Sequence, residues 1–412
     1  MMACENLKKC ERETINCSNC GQCVTGPVDP FRPNPVFHEY MPIKICPMHE
    51  EHGMLTYSAN GMNAMGRAIL EGKLEVTPEV VDAFYQCSLC GHCETNCGEV
   101  FHWIETFLGP KIGEPVRTTE VVKAARADFV SMGCELPKNV SKVTGSIEKS
   151  HNRFGIDQAK KRDWLPEGIQ PTEGAELLFF VGCVGSFRSK EIAQSLAKIL
   201  DKAGVPFNIL GEDEWCCGGP QLLNAGLTEL YKEHANHNVE AIRKTGAKRV
   251  VCTCADCYRT LKLDYPKVIE DMGFEVIHSS QLLAELLEAG KITLDHEIKE
   301  TITYQDPCQL SRAAKVTEEP RKVLAAIPGV ELKEMQGNKE YTMCCGHYPV
   351  ELPENTALAG KNRLDVAQET GASTIVTACS FCKWSLSGAA RKNEKDVKIL
   401  DLTEIAAKAM GL

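Results

Sequence analysis

The 412-residue sequence has no long apolar run and no excess of basic residues. It contains no stretch of about 18 apolar residues, so we expect that no helix of this chain crosses a bilayer. Acidic residues outnumber Lys and Arg by 56 to 46, and the net charge of −10 argues against nucleic acid as a main partner. With 43% hydrophobic and 25% charged residues, the composition is that of a soluble globular protein, and the length suggests two or three domains.

A secretory signal and a dinucleotide-binding motif are also missing. Residues 1–13 are polar and lack the charged and then apolar pattern of a signal peptide. We therefore expect a reducing, cytoplasmic location, in which most of the 22 cysteines serve as metal ligands rather than as disulfides. No Gly-x-Gly-x-x-Gly fingerprint for a flavin or nicotinamide cofactor occurs, so electrons must be exchanged with a partner.

What the sequence has instead is a five-cysteine pattern that occurs twice. Each copy consists of a single Cys, an adjacent pair and a Cys-x-x-Cys motif, and aligned positions differ by 125 (183 to 308), 128 (216 to 344), 125 (254 to 379) and 125 (257 to 382). Each copy thus offers one thiolate more than a cubane [4Fe-4S] cluster takes, which indicates unusual iron–sulfur chemistry. The first set is Cys183, Cys216, Cys217, Cys254 and Cys257, and the second set is Cys308, Cys344, Cys345, Cys379 and Cys382.

Two further cysteine runs precede the repeat, and they predict two cubane [4Fe-4S] clusters. Three thiolates at three-residue spacing surround one face of a cluster, and the fourth ligand of such a run commonly serves the other cluster. The predicted ligands of one cubane are Cys17, Cys20, Cys23 and Cys97, and those of the other are Cys87, Cys90, Cys93 and Cys46.

Structural zinc and disulfides are the alternatives for these runs, although zinc favours paired two-cysteine knuckles. The assignment of Cys46 is the weaker one, because Cys46-Pro47 follows a proline-rich insert, whereas only three residues separate the third and fourth Cys of a bacterial ferredoxin run. The four remaining cysteines are interpreted as free thiols, with Cys252 as an alternative ligand to Cys254. They are Cys4, Cys10, Cys134 and Cys252.

Short apolar runs alternate with helical patterns in the second half of the chain. Such alternation implies parallel sheets, and single cysteines fall just after four of the runs, where sites form in open α/β sheets. We therefore predict an α/β protein, with an N-terminal α-helical ferredoxin-like domain at residues 1–136, a connector at 137–174 and two parallel-sheet lobes at 175–300 and 301–412. The runs lie at 175–181, 205–210, 248–252, 274–278, 301–305, 330–332, 373–377 and 397–400.

Each copy of the five-cysteine pattern resembles the cysteine-rich CCG domain of heterodisulfide reductases. The sequences EDEWCCG at 212–218 and YQDPC at 304–308 carry this resemblance. The N-terminal part resembles the two-cluster partner subunit of the same enzymes, and the fusion of the two in this order is similar to the D-type subunits of heterodisulfide reductases. The resemblance covers nearly the whole chain from Cys17, except for the insert at 26–45.

The resemblance implies a noncubane [4Fe-4S] cluster on each five-cysteine set, so these ten cysteines would be the catalytic ligands. In that family the pair of clusters opens a disulfide between two thiol coenzymes, and electrons would arrive through the two N-terminal cubanes. One departure is His347-Tyr348-Pro349, which stands where the family tends to have a glycine-rich run and could narrow the substrate pocket. His347 could also donate a proton to a leaving thiolate, but a structural role is the simpler interpretation.

We therefore expect an oxidoreductase subunit for disulfide and thiol chemistry, with a small-molecule thiol or disulfide as substrate. The alternative is an electron-transfer subunit without its own substrate, which links a flavoprotein dehydrogenase to a membrane quinone or cytochrome partner. In both cases the expected partner is a flavoprotein or a membrane cytochrome b-type subunit. Through such a partner, a cytoplasmic chain could be attached to the inner face of the membrane.

Overall fold

The computed structural model describes residues 4–25, 46–98, 115–347 and 353–412. Its N-terminal part is helical. A 3-10 turn occurs at Leu55–Tyr57, and α-helices lie at Glu5–Lys8, Glu11–Asn16, Gln22–Thr25, Pro47–His52, Ala59–Leu70, Pro78–Tyr85, 92–98 and Thr118–Ser131.

Local signals explain where the longer of these helices begin. The Ser58 side chain accepts a hydrogen bond from Gly61 N and thereby caps the helix Ala59–Leu70. Thr77 does the same for Val80 N, and Pro78 occupies the first turn of the next helix, where no amide donor is needed. The helices bury one small core, in which the rings of Phe84 and Phe129 meet edge to face at 5.4 Å.

Residues 137–174, for which the sequence predicts a connector, contain helices of their own. They contain an α-helix at Lys138–Ser150 and a 3-10 helix at Gln158–Arg162. Val140 of the α-helix belongs to the N-terminal core. Trp164 is 1% exposed and packs edge-on against Phe179 of the first sheet, with a ring separation of 5.5 Å. This segment is therefore packed against both neighbouring parts of the chain.

The rest of the chain forms two four-stranded parallel sheets, as predicted. The first has the order β2-β1-β3-β4 and the second the order β6-β5-β7-β8. The strands are β1 Leu177–Phe180, β2 Phe207–Asn208, β3 Arg249–Cys252, β4 Glu275–His278, β5 Glu300–Gln305, β6 Val330–Lys333, β7 Thr374–Thr377 and β8 Lys398–Asp401.

Helices connect these strands. The first lobe has α-helices at Gly182–Phe187, Lys190–Lys202, Thr228–Lys244, Ala255–Arg259 and Ser279–Glu288, π-helical turns at Gly219–Leu223 and Thr260–Asp264, and 3-10 turns at Gly211–Asp213 and Tyr265–Lys267. The second lobe has α-helices at Glu318–Ala325, Pro353–Glu369, Ser380–Lys392 and Leu402–Ala409, a π-helical turn at Gln309–Ala313 and a 3-10 turn at Lys339–Tyr341.

The register of strand pairing repeats with the same offset as the cysteines. Leu177 of β1 pairs with Arg249 of β3, and Ile302 of β5 pairs with Thr374 of β7, so both partners are shifted by 125 residues. The lobes also pack reciprocally, because the helix Lys190–Lys202 contacts Leu402–Ala409, and Ser279–Glu288 contacts Glu318–Ala325. The fold class predicted from the sequence is therefore confirmed.

Arg126 ties the N-terminal part to the first lobe. Its buried guanidinium donates to the carbonyl oxygens of Phe84 at 2.7 Å, Cys87 at 2.6 Å and Asn224 at 2.7 Å. At the same contact, a Cβ on Gly226 would lie 2.5 Å from the backbone of Arg126, so only glycine allows this approach.

We expect Arg126→Met to lower the free energy of unfolding by about 3 kcal/mol, because three buried carbonyls lose a charged donor. Urea unfolding of the iron-loaded protein, followed by far-UV circular dichroism, measures this loss. The control is Arg67→Met, which removes an exposed ion pair with Glu71 in the same N-terminal part and should cost less than about 0.5 kcal/mol. Equal losses in the two variants would contradict the role assigned to Arg126.

Candidate functional site

The ten cysteines of the repeat lie at the carboxyl ends of the central strands. Cys183 and Cys254 follow β1 and β3, and Cys308 and Cys379 follow β5 and β7. Gly182 precedes Cys183 with φ +75°, and a Cβ there would lie 2.9 Å from Cys257 Sγ. A glycine is needed at this point because the chain must turn directly beside a thiol.

The first cysteine set, defined above, is a buried group of mutually contacting thiols. Cys217 accepts hydrogen bonds from Cys216 and Cys257, which lower the pKa of Cys217 to about 6. Cys183 and Cys216 are also hydrogen-bonded to each other. Every member is at most 6% exposed. Thiolates are the form that binds metal, so this donor set fits an iron–sulfur cluster.

The second cysteine set repeats the contacts between the adjacent pair and the Cys-x-x-Cys motif. Cys345 accepts hydrogen bonds from Cys344 and Cys382, and these hold the pKa of Cys345 well below its ordinary value. Cys382 is in turn hydrogen-bonded to Cys379. Cys308 is only half-buried, and its thiol lies in the field of the Arg312 guanidinium. The donor chemistry fits a second cluster for the same reason as in the first set.

The two sets meet across the boundary between the lobes. Cys254 Sγ, Cys379 Sγ and a carboxylate oxygen of Asp256 all lie within 4.8 Å of one another. The Cys379 thiol donates to Asp256 Oδ2 at 4.0 Å, so a cysteine of the second lobe is hydrogen-bonded to a carboxyl group of the first lobe. Burial, and then the negative charge of Cys254, raise the pKa of Asp256 well above its ordinary value.

A buried ion pair fixes the turn that carries Cys183. The Glu214 carboxylate accepts from the backbone amides of Val181 and Gly182, both at 2.8 Å. Lys161 lies 3.1 Å from the same carboxylate, and both side chains are 2% exposed. Because a buried carboxylate is costly without partners, Lys161 stabilises the charge that holds this turn.

The structure also brings cysteines of the two N-terminal runs close to one another. Cys46 lines one cavity with the run Cys87, Cys90 and Cys93, next to Cys23 of the other run. Cys97 lies near the carboxyl end of the helix 92–98, and burial, followed by the thiolates of Cys20 and Cys17, raises its pKa. A thiol-lined cavity of this kind fits a cubane cluster. Which thiols are the ligands stays a prediction.

The second N-terminal run directly adjoins the second cysteine set. Arg312 donates to the carbonyl oxygen of Cys90 at 2.5 Å and to that of Glu340 at 2.8 Å. Burial raises the pKa of Cys308, and the hydrogen bond to Cys345 together with burial raises that of Cys344; the negative charge of the Cys90 thiolate adds to both shifts. The predicted electron entry is therefore next to the second set.

The residues around the sets include several that the sequence analysis did not identify. Asp256 could have been noticed from its position within Cys254-x-x-Cys257, whereas Lys161 and Arg312 carry no local signal. His347 stacks on Phe381 with a ring separation of 4.0 Å, and burial lowers its pKa to about 3. Tyr348 and Pro349 lie outside the described residues. Cys252 is the last residue of β3, and its thiol is part of the hydrophobic core.

The segments that match known protein families coincide with the helical N-terminal part and the two lobes. A cysteine-rich domain (CCG) matches residues 177–262 and again 302–387, and a 4Fe-4S dicluster domain matches residues 13–99. The chain is 35% identical to the D subunit of the dihydromethanophenazine:CoB–CoM heterodisulfide reductase of Methanosarcina barkeri, across 84% of this chain and 83% of that protein. The chain belongs to the family of heterodisulfide reductase D subunits. The resemblance inferred from the sequence is thus confirmed.

The chain is also similar to a second D subunit and to an oxidoreductase with a different name. The corresponding D subunit of Methanosarcina acetivorans is 31% identical across 97% of this chain and 95% of that protein. The EtfAB:quinone oxidoreductase of Syntrophomonas wolfei is 29% identical across 80% of this chain, but the match covers only 47% of that protein. This member of the family is therefore an oxidoreductase subunit with 4Fe-4S domains. Among the described residues, no helix is both long and apolar enough to span a membrane.

Proposed function

We propose that this chain reduces a disulfide, or oxidises two thiols, where its two cysteine sets meet. The juxtaposition of Cys254, Asp256 and Cys379 within 4.8 Å carries the proposal. Reduction of one disulfide to two thiols takes two electrons and two protons, and a pair of adjoining redox sites matches that demand. The two N-terminal runs would hold cubane [4Fe-4S] clusters and the two sets noncubane [4Fe-4S] clusters, each able to pass one electron at a time.

The placement of the N-terminal part supports a direction of electron transfer within the chain. Cys90 adjoins Cys308 and Cys344, so electrons from the predicted cubanes would enter the second set first and reach the first set through the Cys379–Cys254 contact. The chain's own residues orient these sites, since Arg312 fixes Cys90 against the second lobe. A flavoprotein or a membrane cytochrome b-type subunit would exchange electrons at the N-terminal part, and the second of these would place the chain at the inner face of the membrane.

The substrate proposal is tested with the CoB–CoM heterodisulfide that appears in the names of the relatives. Anaerobic reduced protein should consume this disulfide when an artificial donor supplies electrons. Oxidised protein should change its paramagnetic signal when the corresponding thiols are added, because thiolate is a soft ligand for iron.

Cys344→Ser should abolish that spectral change and slow disulfide consumption by more than about 100-fold, because loss of a ligand should exceed the effect of changes around a metal site. Reduction of the N-terminal cubanes should be unaffected. Cys134→Ser, a half-buried cysteine outside both sets, is the matched control and should behave like the parent. If thiols leave the spectrum unchanged and no disulfide is consumed, the chain is an electron-transfer subunit for a flavoprotein and a quinone or cytochrome partner.

A further inference from the structure

The turn at residues 151–154, between the helix Lys138–Ser150 and the first sheet, is fixed by its own side chains. His151 ends the helix in the left-handed conformation with φ 55°. The Asn152 amide oxygen accepts from the backbone amides of Phe154 and Ile156, both at 3.1 Å, and its NH₂ group donates to the Ile156 carbonyl at 2.6 Å. Asn152 is fully buried, so the turn is held rigidly.

The backbone of this turn contacts the first cysteine set. The amide of Cys216 donates to the carbonyl oxygen of His151 at 2.7 Å. The backbone amide of Arg153 donates to the Cys183 thiol. The His151 ring also stacks on Trp215, next to Cys216, with a ring separation of 3.6 Å and an interplanar angle of 4°. Cys183 and Cys216, two candidate ligands of the first set, are thus positioned by residues that lie outside both segments matched by the cysteine-rich domain.

The side chain of Arg153 extends from the same turn to the second cysteine set. Its guanidinium carbon lies 4.8 Å from the ring centre of Phe381, which stands between Cys379 and Cys382, and 5.3 Å from that of Trp384. Arg153 is 4% exposed. Cation–π contacts are attractive for a guanidinium, and they hold the charge against the second set.

The charge of Arg153 acts on groups of both lobes. Its guanidinium lies 4.8 Å from the ring centre of Phe381 in the second lobe, and its backbone amide contacts Cys183 of the first lobe. In a buried environment the attraction between charges is much stronger than in water, and salt screens it little. A cluster gains one negative charge when it is reduced, so a fixed positive charge nearby favours the reduced form.

We propose that Arg153 is the positive charge that raises the reduction potentials of both five-cysteine clusters and so couples the two lobes. This inference rests on the proposed function, because it requires a cluster in each set. Arg153 belongs to neither lobe's own repeat. One residue of the connector would therefore tune both sites together, which suits a reaction that needs two electrons at one place.

Potentiometric titration, followed by paramagnetic resonance, tests this inference. Arg153→Gln should shift the midpoint potentials of both five-cysteine clusters to more negative values and leave the N-terminal cubanes unchanged. Arg153→Met, which keeps an apolar stem against Phe381 and Trp384, should give the same shift. Arg153→Lys retains the charge and should stay closer to the parent. The matched control is Arg188→Gln, since Arg188 lies 4.4 Å over the ring of Phe154 but is exposed to solvent.

Several outcomes separate this inference from the proposed function. If the parent protein shows no signals beyond those of the two cubanes, the proposed function fails and the inference with it. If all signals are present but neither charge-removing variant moves the two potentials, the inference alone is wrong. A shift of all potentials, cubanes included, or an Arg153→Lys variant that behaves like Arg153→Gln, would show that Arg153 acts through packing rather than charge. Iron content measured for each variant confirms that the compared proteins carry the same clusters.

Discussion

Anaerobically reconstituted protein is expected to contain about 16 Fe per chain, four for each of two cubane and two noncubane clusters. Replacing the pair Cys216 and Cys217 by serine should lower this to about 12 Fe, because both thiols belong to the first cysteine set. Colorimetric iron and sulfide determination measures the change. Cys134→Ser should retain the full content.

Each possible deviation from 16 Fe points to a different error. A parent protein with about 8 Fe after full reconstitution would show that the repeat holds no clusters, although its cysteines lie together. Stoichiometric zinc would overturn the iron–sulfur interpretation, because zinc takes four thiolates in a closed tetrahedral site. A serine pair that leaves the iron content unchanged would mean that the first set is only a buried group of thiols.

The parallel sheets could be predicted from the sequence because strands covered on both faces are nearly continuous apolar runs. β1 and β7 are buried throughout, and all eight predicted runs contain the observed strand or overlap it. Helix positions were predicted less closely. Pro115 can occupy the first turn of a helix, for example, but the structure begins this helix at Thr118. Such differences arise because propensity is a weak guide to helix ends until tertiary contacts are known.

The helix Lys138–Ser150 and the turn after it were not predicted, although they position the candidate site. Their residues are mostly polar, and the helix has a narrow apolar stripe that includes Val140, Val143 and Ile147. The roles of His151 and Arg153 depend on contacts with residues between about 30 and 230 positions away. A cysteine pattern identifies ligands by type and spacing. It cannot identify an arginine that reaches a site through packing.

The contact between the two cysteine sets could likewise not be predicted from the repeated cysteine pattern alone. The repeat predicts two similar lobes, but their relative placement follows from the reciprocal packing of Lys190–Lys202 with Leu402–Ala409 and of Ser279–Glu288 with Glu318–Ala325. The two copies also differ where they meet. Asp256 of the first Cys-x-x-Cys stands 125 residues before Phe381 of the second. One side of the junction therefore carries a carboxyl group, and the other carries a ring covered by Arg153.

Cys46→Ser is expected to remove the cubane of Cys87, Cys90 and Cys93 and to leave the cubane of Cys17, Cys20 and Cys23 intact. Cys46 lines the cavity of the second run, and burial, followed by the thiolates of Cys87 and Cys90, raises its pKa. The variant should therefore lose about 4 Fe and one of the two cubane signals. Cys97→Ser is the matched counterpart, because Cys97 lies beside Cys17 and Cys20. It should remove the other signal.

The two variants should also differ in how much they slow electron transfer from the N-terminal cubanes to the five-cysteine clusters. Because Cys90 adjoins Cys308 and Cys344, loss of the Cys46 cubane removes the redox site next to the second set. Stopped-flow reduction by a protein donor should then leave the five-cysteine clusters oxidised in Cys46→Ser. Small reductants that enter directly should still reduce them. Cys23 also lines the cavity of the second run, so it is the thiol that could replace Cys46. The assignment is wrong if Cys46→Ser keeps both cubane signals and Cys23→Ser loses the signal of the cubane at Cys87, Cys90 and Cys93. Cys23, and not Cys46, would then be the fourth ligand of that cubane.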